Sequence, residues 1–299
     1  MTVNTKIIAY EFDYLEPGSI EEALGMLREH GAEARILAGG TDLLLQIKQE
    51  KLLPGYLVDI SKIKELSHIK EDGGLRIGAA ARLADVREYC SRHPEYIALY
   101  EAISVLGKPQ VWNMGTVGGN LCNASPAADT APPILIYGGR VRLVSEKGER
   151  EISVEKFFKG VNETVLKRGE ILAEIVLEPL RDNSGSAFKK TARVGADISK
   201  LSCAVSAERD GQKCSLCRIA LGSVAPVPMR ARGAEDVIKG SEVNEDMLRR
   251  AGQKVAEEVR PIDDMRSTAE YRREVSAVLF RDVFSTAWER SGGEISWER

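Results

Sequence analysis

Apolar residues first recur at helical spacing in SIEEALGMLREHG, residues 19–31, where Ile20, Ala23, Leu24 and Leu27 share one face. Ser19 with Glu22 three residues on is a capping-box signature, and Gly31 suits the position just past a helix end. The period then shortens. ARILAGGTD (34–42) reads as a short apolar strand running into Gly39-Gly40, and YLVDI (56–60) as a second strand. LSHIKEDGGLRIGAA (66–80) reads as two strands around an Asp72-Gly73-Gly74 turn. This β-α-β opening predicts an early sheet that is at least partly parallel. Helical spacing returns at Leu83–Ser91 and Tyr96–Leu106. GRVRLVSEKGEREIS (139–153) alternates as an antiparallel hairpin turning at Gly148, and Ile171–Leu177 is a further strand.

Between these elements lies NMGTVGGNLCNASPAADTAPP, residues 113–133, a glycine-punctuated stretch with little helical or strand periodicity, which reads as a long loop. The strongest linker is RDNSGS, Arg181 to Ser186. Beyond it AFKKTAR, LSCAVSAE and CRIALGSV read as strands, and from about Ala234 to about Glu289 the pattern is helical. The expected class is α+β. One domain spans residues 1–182, in two halves of roughly 1–60 and 61–182, and a small sheet with a helical tail spans 186–291. A length of 299 residues suits two domains at roughly 150 residues each.

Composition narrows the function classes. A net charge of −3, from 42 basic and 45 acidic residues with no basic run, gives no electrostatic case for nucleic acid. No segment approaches the roughly 18 apolar residues that span a bilayer, so no membrane span is expected. The N-terminus has no useful apolar stretch ahead of Glu11 and Asp13; no signal peptide is read, and the expected compartment is the cytoplasm. The five cysteines, an odd and scattered set, argue against a disulfide framework. Cys214 and Cys217 form a C-x-x-C at the front of a strand, where an odd offset puts side chains on opposite faces. With no second pair nearby to complete four ligands, they read as structural, and no bound metal or iron–sulfur cluster is expected in this chain.

Two glycine stretches carry the candidate chemistry. In ILAGGTDL a strand (Ile36, Leu37) delivers the chain to Ala38, Gly39, Gly40, Thr41 and Asp42. Glycines let backbone approach a ligand closely, and successive amides in such a turn form an anion nest. Asp42 would repel phosphate and is expected to cap the amides of the next turn. GTVGGN repeats the pattern with Gly115, Thr116, Gly118, Gly119 and Asn120. Neither is a G-x-G-x-x-G fingerprint or a P-loop, and each alone is compatible with an ordinary turn. Two such loops far apart in the chain suit a ligand with two phosphates and two ends, as a dinucleotide cofactor has.

Together, AGGTDLL and NMGTVGGNLCNASPAAD resemble the FAD-binding middle subunit of the molybdenum hydroxylases, the family of xanthine, aerobic carbon monoxide and nicotinate dehydrogenases. GEILAEIVL resembles the strand ending that family's FAD domain. AFKKTAR with DISKLSCAV resembles its crossover, and IALGSVAPVPMRA and AEYRREVSAVLFRD its C-terminal domain. The resemblance covers nearly the whole chain. It implies a p-cresol methylhydroxylase-type FAD-binding domain of two subdomains followed by a small-sheet-and-helices domain. It implies that Ala38, Gly39, Gly40, Thr41 and Asp42 bind the pyrophosphate of non-covalent FAD from one side, and Thr116, Gly119, Asn120 and Asp129 from the other. Leu172 would touch the cofactor through its backbone, and Lys190 would lie near the isoalloxazine and stabilise negative charge on reduced flavin. The alternative for Lys190 and Asp197 is a solvated pair at a domain junction. DISK, residues 197–200, resembles the D-I-A-K of xanthine dehydrogenases, but Arg193-Val194 departs from the family's frequent Arg-Arg or Arg-Lys.

The resemblance further implies an electron-transfer subunit with no catalytic acid–base set. Electrons would arrive from molybdenum in a large molybdopterin subunit through [2Fe–2S] clusters in a small subunit, both cofactors held only by those partners, and leave to an acceptor such as NAD. The cysteine-rich insertion of the benzoyl-CoA-type reductases is missing. Of the three histidines, His30, His68 and His93, none is expected to carry flavin covalently. A free-standing flavin oxidase or reductase of the same fold, and a nucleotide-binding regulatory or assembly protein, are the competing readings.

Overall fold

The structure, a computed structural model, describes Ile8 and residues 10–296. β1 (Asp13–Leu15), α1 (Ile20–His30), β2 (Ala34–Leu37), α2 (Leu43–Lys48) and β3 (Tyr56–Asp59) open the chain. β3 lies between β1 and β2 and is parallel to both, with Leu37 opposite Asp59. The α1 cap follows the sequence: the Glu22 amide donates to Ser19 Oγ, and the Gly31 amide closes on the Leu27 carbonyl. The Glu22 carboxylate accepts from the Gly18 amide (2.6 Å), one residue outside the usual capping box. The apolar face of α1 buries Ala23, Leu24 and Leu27 against Val58 and Ile60.

Next come β4 (Ile69–Glu71), β5 (Leu75–Gly78), α3 (Leu83–Ser91), α4 (Ile97–Val105), α5 (Pro109–Met114), α6 (Val117–Asn123) and α7 (Ala131–Ile136). They are followed by β6 (Arg140–Ser145), β7 (Gly148–Ser153), β8 (Phe158–Gly160), β9 (Glu163–Thr164) and β10 (Ile171–Leu177). β10 is the middle of an antiparallel sheet ordered β4-β5-β10-β6-β7, and all seven of its residues are buried. Its one charged residue, Glu174, is tolerated there because His68 Nε2 (2.8 Å) and an Arg76 guanidinium nitrogen (2.6 Å) contact its two oxygens. The hairpin turns at Glu146-Lys147, with Gly148 as the first residue of β7.

The long glycine-punctuated loop expected at 113–133 is a correction. Most of it is short helix: the end of α5, all of α6 and the first half of α7. Each helix is too brief to display a 3.6-residue period, and the closing Pro132-Pro133 sits in the first turn of α7, where no amide is needed.

The C-terminal unit holds β11 (Ser184–Thr191), β12 (Leu201–Asp210), β13 (Lys213–Gly222), β14 (Met229–Arg230), α8 (Arg232–Ile238), α9 (Glu245–Glu258) and α10 (Ala269–Arg290). Its antiparallel sheet is covered on both faces. Phe188, Ala204 and Ala220 join the core under α4 and α7, while Ala187, Cys203, Val205 and Ile219 pack on Phe280, Phe284 and Trp288. The expected linker is shorter than 181–186, because Ser184 to Ser186 already belong to β11 and Ser186 is buried. Glu101 of α4 bridges the units, accepting from the Phe188 amide (2.7 Å) and from Arg290 (2.6 Å).

The opposite-face placement of Cys214 and Cys217 is also overturned. The β12–β13 register slips between Glu208 and Arg209, so Arg209 pairs with Cys214 and Glu208 with Leu216. One extra residue, Ser215, bulges out, and both cysteines turn to the same buried core. Both are free thiols, and burial pushes Cys217 well above the ordinary thiol range.

Candidate functional site

A cleft of about 450 Å³ opens between the three-stranded parallel sheet and the five-stranded sheet. One wall is the end of β2 and the turn into α2: Ile36, Ala38, Gly39, Gly40, Thr41 and Asp42. The other is the junction of α5 and α6, with Gly115, Thr116, Gly118, Gly119 and Asn120, and Leu172 of β10 at the floor.

The walls meet because glycines allow it. A Cβ on Gly39 would lie 2.0 Å from the Met114 carbonyl oxygen and 2.7 Å from Gly115 Cα. A Cβ on Gly118 would lie 2.5 Å from the Ala79 carbonyl oxygen, which seats α6 on the end of β5. The α5–α6 junction is tied down on the same side by the Leu83 amide donating to the Gly115 carbonyl (2.8 Å).

The donors left over define the chemistry. Among the described residues, the amides of Gly39, Gly40, Thr41 and Asp42 have no hydrogen-bond partner in the protein, and neither does that of Gly118. Unpartnered amides at a β-strand-to-helix turn and at a helix start are a seat for anionic oxygens. Among the described residues, the only charged side chains on the wall are Arg35 and Asp42. Arg35 spends its guanidinium on the carbonyls of Ala32 and Ala34, so backbone rather than side-chain charge would meet an anion.

Two expectations need correction. Asp42 occupies the position before α2 but its carboxylate caps no amide. It opens to solvent on one side, yet crowding by the cleft walls desolvates it and raises its pKa. Thr116 Oγ1 accepts from the Gly119 amide (2.9 Å) as the N-cap of α6, which leaves its O–H able to donate into the cleft. Lys190 and Asp197 are not a solvated pair. Lys190 is buried, its Nζ lies 2.7 Å from Asp129 Oδ2 and donates to the Asp197 carbonyl, while the Asp197 carboxylate goes to Arg193.

Of the fifteen residues expected to form the site, twelve line the cleft; Leu37, Asp129 and Lys190 do not. Leu37 points into a small core with Ile47 and Leu57, as alternation from Ile36 requires. Asp129 keeps one oxygen on Lys190 and one buried without a partner. Burial raises its pKa, and the Lys190 ammonium works against that rise. Asn120 lines the cleft but its Oδ1 accepts from Thr130 (2.6 Å). The sequence reading missed Gln46, Cys122, Asn123 and Asn162 on the same wall. The Asn162 side chain donates to the Asn123 carbonyl (2.8 Å), clasping the β8–β9 hairpin to the end of α6. Its signal was present in the asparagine of Gly160-Val161-Asn162, since Asn162 adopts φ +57°.

Two lobes that bring free amides together over an apolar-floored cleft define a binding domain for a phosphate-containing cofactor. The comparisons with known proteins make the class specific. Residues 10–179 match the FAD binding domain in molybdopterin dehydrogenase, and residues 186–287 match the CO dehydrogenase flavoprotein C-terminal domain. The chain is 32% identical over 286 residues to the xanthine dehydrogenase FAD-binding subunit of Escherichia coli O157:H7, covering 94% of this chain and 98% of that one. It is 30% identical over 285 residues to the carbon monoxide dehydrogenase medium chain of Hydrogenophaga pseudoflava, covering 95% and 99%. The solved carbon monoxide dehydrogenase from that organism, in a form lacking the Mo-pyranopterin moiety of its cofactor, superposes with a TM-score of 0.91 at 30% identity over 94% of this chain. The chain therefore belongs to the FAD-binding subunits of the molybdenum hydroxylase family, an oxidoreductase family.

Proposed function

We propose that the chain carries FAD non-covalently and serves as the electron-transfer subunit of a molybdenum-containing hydroxylase or dehydrogenase. It would work in the cytoplasm with a large molybdopterin subunit and a small [2Fe–2S] subunit. The observation that carries this reading is that the unpartnered amides of residues 39–42 on one lobe and of Gly118 on the other line one cleft. The amides of Gly39, Gly40, Thr41 and Asp42 would hold the pyrophosphate from one side. Those at the start of α6 would hold it from the other, with Thr116 fixing that helix start and Asn120 held by Thr130. The apolar floor, including Ile36 and Leu172, would exclude water from the rings. FAD, when bound, supplies the capacity to take electrons singly and release them as a pair. The domain is taken as residues 1–182 and the C-terminal unit as 186–291. Lys190, fixed by Asp129, is placed as a positioning residue of the domain junction rather than a group on the cleft wall.

Non-covalent attachment is supported by Cys122, the one thiol in the cleft among the described residues. Burial pushes Cys122 up to about 12, so it stays protonated and is a poor tether. The outgoing acceptor is taken to be NAD, by likeness to the family. The test is the visible spectrum of the purified chain before and after acid precipitation. Flavin bands that move to the supernatant support the reading. Flavin that stays in the pellet means a covalent bond and favours a free-standing oxidase. A chain that stays colourless with added FAD removes the cofactor assignment altogether.

A further inference from the structure

On the far side of the five-stranded sheet's edge, three side chains from separate pieces of chain converge. Glu71 ends the edge strand β4, His93 follows α3, and Glu95 sits in the single helical turn Pro94–Tyr96. One ligand-capable atom of each lies within 4.8 Å of the other two. His93 Nδ1 is already 3.2 Å from a Glu95 oxygen. None of the three lines the cleft.

Three features mark the cluster as built rather than incidental. The His93 ring is stacked on Tyr89 at 4.0 Å and 6° between planes, which fixes the direction of its nitrogens. The Tyr89 ring orients one of the three groups, as outer-shell residues orient ligands in metal sites. Next to Glu95 in the chain, Tyr96 is fully buried with a hydroxyl that has no hydrogen-bond partner. Finally, the two carboxylates converge with only the His93 imidazole beside them. Among the described residues no lysine or arginine pairs with Glu71 or Glu95; nearby Arg92 is taken by Glu88 and Arg76 by Glu174 and Asp72. Like charges held together with no cation cost stability unless something neutralises them.

We propose that Glu71, His93 and Glu95 form a site for one divalent transition-metal ion of the zinc class. Two carboxylate oxygens and one imidazole nitrogen are the donor set such ions take, with a solvent molecule completing four-coordination. The side chains of His93 and Glu95 are about one-third exposed, so an ion can enter from solvent. Magnesium, which favours an all-oxygen octahedral shell, fits poorly. The ion would clip the β4 edge to the segment after α3 and so act as a structural staple, independent of the flavin cleft.

The test uses the full chain, stripped with chelator and dialysed against zinc chloride in buffer, with bound zinc counted and melting followed with and without zinc. Wild type should take up one zinc per chain more than Glu71→Gln or His93→Gln. Its melting midpoint should rise with zinc and not with magnesium at the same concentration. Each variant should bind zinc at least about 100-fold more weakly, beyond the usual effect of losing an outer-shell partner. Glu71→Gln guards against misfolding, because it removes one of two repelling charges at an exposed position and should melt no lower than wild type without metal. Zinc uptake that is unchanged in both variants, or absent in wild type at micromolar zinc, would overturn the proposal.

Discussion

Gly39→Ala is the sharpest test of how the cleft is assembled. The added Cβ would sit 2.0 Å from the Met114 carbonyl oxygen, 2.6 Å from its carbon and 2.7 Å from Gly115 Cα. All three are backbone atoms, so no side chain can swing aside. Ordinary contact begins at 3.4 Å. The two walls must therefore part by about 1.4 Å, the shortfall at the closest atom, or the turn must refold. Overpacking of this kind costs about 1–3 kcal/mol of stability. The larger effect falls on binding, because the separation moves the free amides of residues 39–42 away from those at the start of α6. An anion bridging both sets then loses at least one charge-assisted hydrogen bond, worth about 1.5–3 kcal/mol. The FAD dissociation constant should rise at least about tenfold. Gly25→Ala is the matched control: it lies inside α1 with nothing within 4 Å of the new Cβ, and should stabilise by about 0.5–1 kcal/mol with unchanged binding. The assay is flavin-fluorescence titration of the apoprotein, with a urea melt of the same samples. If Gly39→Ala binds FAD as tightly as wild type, the cofactor does not span the two amide sets.

Thr116→Ala should cost about 1 kcal/mol by removing the N-cap of α6, and Thr116→Ser should restore most of it, both read from urea midpoints. Asp129→Asn or Lys190→Met alone should cost about 3–5 kcal/mol, since each strands a buried partner. The double variant should cost clearly less than the two losses added, and a plain sum would show that the pair is not coupled. Asp264 is held at about 2 chiefly by its hydrogen bond to Arg272. Because this folded-state pKa is lowered, its contribution is present above the unfolded value of 3.8 and is lost as pH falls towards 2. The stability gap between wild type and Asp264→Asn should therefore shrink across that window, and a gap constant with pH would refute the pairing.

Much of the scaffold could be read before the structure. β10 carries an unbroken apolar run apart from Glu174, and α1 carries both its cap and its terminating glycine. What escaped was set by register and by distance. Cys214 and Cys217 share a face only because a bulge adds one residue, and nothing in C-S-L-C announces a bulge. The capping role of Thr116 went unread because α6, only seven residues long, gives too few turns for its period to be seen. The Lys190–Asp129 pair joins positions 61 apart in sequence, and no local pattern encodes such a partnership.

The cleft itself was legible for a different reason. Its proposed contacts to an anion come from main-chain amides, which every residue but proline carries, so a specific donor side chain would leave no trace. What the sequence must encode instead is room, the absence of a Cβ wherever two backbones meet. Gly39 against Met114 and Gly118 against Ala79 are places where no other residue fits without movement. A glycine pair therefore marks the wall reliably and says little about the charged residues nearby. Asp42, Asp129 and Lys190 lay close to those glycines in sequence or in family pattern, yet one caps nothing and the other two hold each other. For a site made of backbone, the glycines locate the cleft, and only the fold decides which neighbouring charges face it.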